Sequence, residues 1–229
     1  MTNILVAGAG TMGVVLARLF AQRGYAVTLW NRRQSSLDRA AETIRRDLDA
    51  AAGRGELSGP PEAVLDRITF TTDFAPFEGA DFVIENIAED LAVKRDFWAK
   101  VSALVPAESL LATNTSGLRV SDIARAVQGP RRFCGMHFWN PPDLMPLVEI
   151  TKGEKTDDET AQAVRDRALS LEKRPVIVQK DILDPGQPAP VRRPPGGPPH
   201  PLPGGRRAGG DRRRHEVRPR LPLLHDGPL

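Results

Sequence analysis

Cysteine is almost absent: Cys134 is the one thiol in 229 residues. It forms no internal disulfide, which excludes the stapled scaffolds of small secreted domains and agrees with a reducing compartment. Nothing around it in sequence would activate a nucleophile, so a small buried hydrophobe is the expected role. Long apolar runs are missing too. None reaches the about 20 residues that span a bilayer, and the chain opens on "NILVAGAG" with no basic segment or cleavage site before it. The expected protein is cytoplasmic, with no membrane partner. No metal-ligand set and no internal repeat stand out.

Charge imbalance is confined to one end. Residues 1–182 hold 23 Lys+Arg against 25 Asp+Glu, and residues 183–229 hold 9 against 4, so a net of −2 and a net of +5 make up the +3 of the whole chain. The basic balance belongs to the tail, and no nucleic-acid partner is expected. Those last 47 residues contain no Ile, Phe, Tyr, Trp, Ser, Thr or Lys but 12 Pro, 8 Gly and 9 Arg. Such a segment buries too little apolar surface to offset its ordering entropy, and disorder is expected.

What is present is alternation. Ile4 to Ala7 reads as a strand, Met12 to Arg23 as a helix, Ala26 to Trp30 as a strand and Ser36 to Ala52 as a helix. "RITFTTD", "DFVIENI" and "SLLATNTS" continue as strands, with "EDLAVKRDFWAKVSALV" as an amphipathic helix and "DIARAV" as a short helix capped by Ser121 or Asp122. "RRFCGMHFWNP" and "PLVEIT" precede a helix, "DDETAQAVRDRALSLEKR", and a last strand, "PVIVQ". Apolar strands separated by helices predict an α/β, Rossmann-like, doubly wound and mostly parallel sheet over residues 1–182.

The first strand runs into "GAGTMG". Gly8 would make the tight turn, Gly10 would let backbone approach a pyrophosphate, and Gly13 would let helix and strand pack closely, with the helix N-terminus facing the anion. Strand, motif and helix in the right order predict dinucleotide binding. The second strand should end in an acid that takes the ribose 2′-hydroxyl, yet it ends "LWNRR". Asn31 repels no 2′-phosphate and Arg32 could hold one, so NADP stands beside NAD as the cofactor. The same arginines read equally as solvated residues at a strand end.

In "CGMHFWNPPDLMPLVEI", His137 precedes Glu149 by twelve residues across a Pro-Pro turn. If the flanking segments fold back on each other, carboxylate meets imidazole and fixes its tautomer, which suits a base that removes a hydroxyl proton. A structural histidine satisfies the same spacing.

"GAGTMG", "ENIAEDLAVKRDFW", "LLATNTSGLRVSDIA" and "RFCGMHFWNPPDLMPLVEIT" together resemble the NAD-binding domain of the 3-hydroxyacyl-CoA dehydrogenase family, in order and spacing, over about Asn3 to Asp181. The resemblance implies an NAD(P)-dependent oxidoreductase that converts a 3-hydroxyacyl-CoA to the 3-ketoacyl-CoA. It places the catalytic base on His137, its partner on Glu149, substrate or nicotinamide contacts on Ser116 and Asn140, and cofactor-side contacts on Glu89 and Lys94. Read from residues alone, Ser116 and Asn140 are turn residues and Glu89 and Lys94 a surface pair on a helix. Trp139 and "NPP" are similar to family members acting on other 3-hydroxy acids, such as sugar acids or carnitine. A non-catalytic dinucleotide-binding module is the reading from another class. Complete family members are expected to be homodimers.

In the resembled family a helical domain follows the strand matching "PVIVQKD", opened by a Pro-Gly-Phe turn and an Asn-Arg pair. Here proline, glycine and arginine follow instead. Read one base further on, synonymous codons for Gln187 to His200 permit N-R-L-Q-Y-A-A-L-R-E-A-L-H, an Asn-Arg start and an amphipathic helix. Residues 183–229 are therefore read as an out-of-frame tail, produced by an insertion or deletion near Ile182 to Gln187; a natural disordered tail that binds a partner is the rival. Without the helical domain the chain is expected to bind dinucleotide weakly and to turn over little.

Overall fold

The structure is a computed structural model that describes residues 2–179 and 181. The reading of residues 183–229 as a disordered or out-of-frame tail lies outside the described residues. One eight-stranded sheet, in the order β3-β2-β1-β4-β5-β6-β7-β8, forms the centre. Its strands are β1 (Asn3–Ala7), β2 (Ala26–Trp30), β3 (Ile68–Thr71), β4 (Phe82–Glu85), β5 (Leu110–Thr113), β6 (Phe133–Phe138), β7 (Leu147–Lys152) and β8 (Arg174–Val178). All neighbours run parallel except β6 and β7, which are antiparallel. The helices are α1 (Thr11–Gln22), α2 (Gln34–Gly53), α3 (Pro61–Leu65), α4 (Leu91–Leu104), α5 (Val120–Ala124) and α6 (Asp158–Ser170). The expected mostly parallel, doubly wound sheet is what forms.

Strand alternation sorts the core into two layers. Ile4 and Val6 of β1 pack with Leu16 and Phe20 of α1 and Ile44 of α2. Leu5 and Ala7 pack on the other face with Trp98 and Val101 of α4 and Ile123 of α5. A parallel sheet covered on both faces needs strands apolar on both sides, and the "ILVA" and "FVI" runs supply that. Because β2 and β3 extend from one side of β1 and β4 begins the other, the chain reverses direction between β1 and β4. Ligands of open α/β sheets bind outside the carboxyl ends of the strands at such a reversal.

Two local expectations change. The short helix α5 starts one residue before Ser121, with Arg119 at the N-cap and no side-chain cap. Ser121 and Asp122 lie inside its first turn, because Asp181 takes over the capping: its carboxylate accepts from both the backbone N–H and the hydroxyl of Ser121, 60 residues away in sequence. Helix α3, with Pro61 at its start, is an addition to the expected elements. Among the described residues no helix is long and apolar enough to cross a membrane.

Candidate functional site

The first two glycines of "GAGTMG" stand at the reversal, and all three have distinct steric reasons to be there. Gly8 has φ +108°, and a Cβ on it would lie 2.6 Å from the Asn86 carbonyl oxygen beyond β4. On Gly13 a Cβ would lie 1.8 Å from the Gly8 carbonyl oxygen, so α1 touches the turn backbone to backbone. Gly10 faces open space, with no atom within 4 Å of an added Cβ. It is the N-cap of α1, has no side chain to cap with, and no acid occupies the first turn. The site thus offers free N–H groups, a positive helix end and room for backbone approach, which fits a dinucleotide's pyrophosphate. Asn31 follows β2 beside this turn. Its amide oxygen is 3.5 Å from the Ala9 N–H, and its amide N–H group donates to the Arg33 carbonyl at 3.3 Å. Arg32 is exposed next to it.

A cleft of about 760 Å³ opens along the carboxyl ends of the next strands, and Glu89, Ser116, His137, Asn140 and Glu149 line it together with Asn86. His137 and Glu149 are direct partners in the antiparallel β6–β7 register. Their side chains project to the same face, with imidazole Nδ1 2.9 Å from Glu149 Oε2. With the proton on Nδ1 donated to Glu149, Nε2 is left as the acceptor. Trp139 is 44% exposed, and its ring centroid lies 5.5 Å from that of His137. Ser116 is exposed on the turn after β5, and Asn140 ends the segment after β6.

Glu89 organises the opposite wall. Its Oε1 accepts from the Thr115 hydroxyl at 2.5 Å, the Ser116 N–H at 2.9 Å and the Gly117 N–H at 3.1 Å. Burial would push its carboxyl up. The Thr115 hydroxyl, the Lys94 ammonium and the two backbone N–H groups outweigh that and hold it below the ordinary glutamate value. Lys94 is not the surface residue of the helical-pair reading. It has no exposed surface, lies 2.5 Å from Glu85 and 3.4 Å from Glu89, and meets the cleft wall at Glu89. Removing one member of such a buried pair costs about 3–5 kcal/mol, because the other charge is left uncompensated.

Residues 3–182 match the family model described as the 3-hydroxyacyl-CoA dehydrogenase, NAD binding domain. The chain belongs to the 3-hydroxyacyl-CoA dehydrogenase family. A probable 3-hydroxybutyryl-CoA dehydrogenase of Deinococcus radiodurans is 41% identical over 171 residues, which are 75% of this chain and 62% of the relative. The 5-formyl-3-hydroxy-2-methylpyridine 4-carboxylate 5-dehydrogenase of Mesorhizobium japonicum is 33% identical, over 79% of this chain and 58% of that protein. The crystal structure of 3-hydroxybutyryl-CoA dehydrogenase from Escherichia coli superposes with a TM-score of 0.75 at 35% identity, covering 77% of this chain and 38% of that one. The chain therefore spans less than two thirds of the length of the relatives it matches.

Within this family domain, three residues that sequence reasoning passed over join the site. Asn114 donates to Asn86 at 2.8 Å and accepts from the Phe138 N–H at 3.1 Å, which ties β4 and β5 to the strand carrying His137. Thr115 holds Glu89, and Glu85 holds Lys94. A signal for Lys94 exists: with Leu91, Trp98 and Val101 it falls on the apolar stripe of α4, where a surface lysine does not belong.

Proposed function

We propose that residues 1–182 are the dinucleotide-binding domain of a dehydrogenase that oxidises the 3-hydroxyl of a 3-hydroxyacyl-CoA to the ketone. The observation that carries this is the His137–Glu149 pair, 2.9 Å apart and facing a cleft at the carboxyl edge of the sheet. Gly8, Gly10 and Gly13 with the N-terminus of α1 would hold the pyrophosphate, and Asn31 and Arg32 would meet the adenosine ribose. NAD is the cofactor; bound along this edge it would supply the acceptor for the hydride that leaves C3 of the substrate. His137 Nε2 takes the hydroxyl proton in the same step, and Glu149 stabilises the imidazolium that results. Ser116 and Asn140 orient the substrate oxygen, each from one wall of the cleft. Glu89 keeps the Ser116 turn in place.

The test is a titration of the 229-residue chain with NADH, followed by the same titration and a turnover assay on His137→Ala. Saturable binding is expected for both proteins with affinities that agree within about twofold, while reduction of a 3-ketoacyl-CoA by NADH falls by about a hundredfold or more in the variant. A parent that does not bind NADH, or a parental turnover above the uncatalysed rate that survives His137→Ala undiminished, would overturn the reading.

A further inference from the structure

We propose, building on the dinucleotide-binding reading, that Glu85 is a positioning residue of the cleft, acting through Lys94 on Glu89 and through Glu89 on the turn that carries Ser116. Glu85 does not itself line the cleft. It ends β4 with no exposed surface, at a position where strand alternation calls for another apolar residue against α4. A buried carboxylate persists only where donors satisfy it. Glu85 has four: Oε1 accepts from Lys94 Nζ at 2.5 Å and the Ile87 N–H at 2.8 Å, and Oε2 accepts from the Thr113 hydroxyl at 2.7 Å and Trp98 Nε1 at 3.3 Å.

The donors come from β5, from α4 and from the segment just after β4, so the position of Glu85 is over-determined. Lys94 links this fully buried carboxylate to a partly exposed one. Glu89 sits on the connection before α4 with its side chain 29% exposed, and its Oε2 is 3.4 Å from the same ammonium. The shorter contact, to Glu85, sets where the ammonium lies, and the ammonium in turn bears on Glu89 Oε2. Glu89 Oε1 then receives Thr115, Ser116 and Gly117. Each link from the dry interior to Ser116 spans 3.4 Å or less.

The rival role for the pair is adhesion of α4 to the sheet, and the double variant Glu85→Gln/Lys94→Met separates the two. It removes both charges together and leaves neither buried alone. Adhesion predicts that fold stability and the cleft recover together. Positioning predicts that stability recovers while the cleft does not. In the full 229-residue chain, thermal melting, amide exchange at Ser116 and Gly117 and the NADH dissociation constant are measured for the parent, both single variants and the double variant. The expected double variant melts close to the parent, yet exchanges those two amides about tenfold faster and binds NADH about tenfold more weakly. A folded double variant with the parent's exchange and the parent's affinity overturns the proposal.

If the double variant does not fold, Thr113→Val decides, since it removes only the hydroxyl accepted by Glu85. Amide exchange at Ser116 and Gly117 about threefold faster with little change in melting supports the proposal, and unchanged exchange overturns it. A parent that fails to bind NADH sinks the dinucleotide reading and with it the role in the cleft. The amide-exchange comparison separately reports whether Glu85 governs the turn.

Discussion

Gly10→Ala and Gly13→Ala add the same methyl group three positions apart and should fail in opposite ways. At Gly13 the new Cβ would sit 1.8 Å from the Gly8 carbonyl oxygen and 3.6 Å from a Val6 methyl. Non-bonded heavy atoms rest at about 3.5 Å, so α1 must retreat from the turn by more than 1 Å. Gly8 cannot yield, since its N–H is bonded to the Trp30 carbonyl at 2.7 Å and its other side faces Asn86. Backbone overpacking of this kind falls at the top of the usual range, about 3 kcal/mol, which for a domain of this size lowers the melting temperature by about 6–12 °C. At Gly10 the methyl group meets nothing, and φ −84° with ψ −177° suits any residue. A weaker N-cap costs a few tenths of a kcal/mol and the stiffer unfolded chain returns about as much, so stability should hardly move. The methyl group would instead occupy the space through which a pyrophosphate approaches, weakening NADH binding by about tenfold or more, or about 1.4 kcal/mol. Circular dichroism melts without ligand and a fluorescence titration with NADH separate the effects. The reasoning is refuted if Gly10→Ala melts as low as Gly13→Ala, or binds NADH as tightly as the parent.

Because the Glu89 carboxyl is held below its ordinary value of 4.5, the folded site takes up its proton less readily than the unfolded chain does. Its stabilisation is complete above that value and is lost as pH falls through the lower folded value, so stability measured along an acid series should fall in the parent and be flatter in Glu89→Gln. Burial pushes the Cys134 thiol up to about 12; at about pH 8 the native chain should resist a thiol reagent that titrates one cysteine after denaturation, and fast native labelling would contradict its burial. Asn31→Asp places a carboxylate where the ribose 2′-oxygen is expected and should shift the ratio of NADPH to NADH dissociation constants by about tenfold toward NADH. An unchanged ratio would remove Asn31 from cofactor choice.

Local signals explain why much of this site was legible. The Gly8–Gly13 turn follows from spacing between a strand and a helix. In β6, Cys134, Met136 and Phe138 alternate into the core, as do Val148 and Ile150 in β7, so His137 and Glu149 must share the other face once the strands pair. What escaped depends on contacts distant in sequence. No local pattern joins Ser121 to Asp181, so the start of α5 was misplaced. Glu85 passed as one more residue of the strand "DFVIENI", because the hydroxyl and indole that satisfy it arrive from Thr113 and Trp98, 28 and 13 residues on. Lys94 was read by the exposure usual for lysine and not by its place in the apolar stripe of α4.

The carboxyl edge of the sheet has a common chemical plan. Three strands exchange apolar residues for polar ones near this edge: β4 runs into Glu85 and Asn86, β5 into Thr113 and Asn114, and β6 into His137, while β1 beside them runs into Gly8. Asn114 joins Asn86 to the Phe138 N–H, while Glu85 joins Thr113 to α4 through Trp98 and Lys94. The rim is thus tied together by side-chain amides, hydroxyls and carboxylates above an apolar core that sets the strand spacing. Within such a network, losing one group leaves its partners unsatisfied and free to move, whereas losing a core methyl leaves a cavity that neighbours partly fill. Substitutions in the rim should therefore change ligand affinity out of proportion to their effect on melting, and substitutions one or two residues deeper, at Ile84 or Val83, should do the reverse.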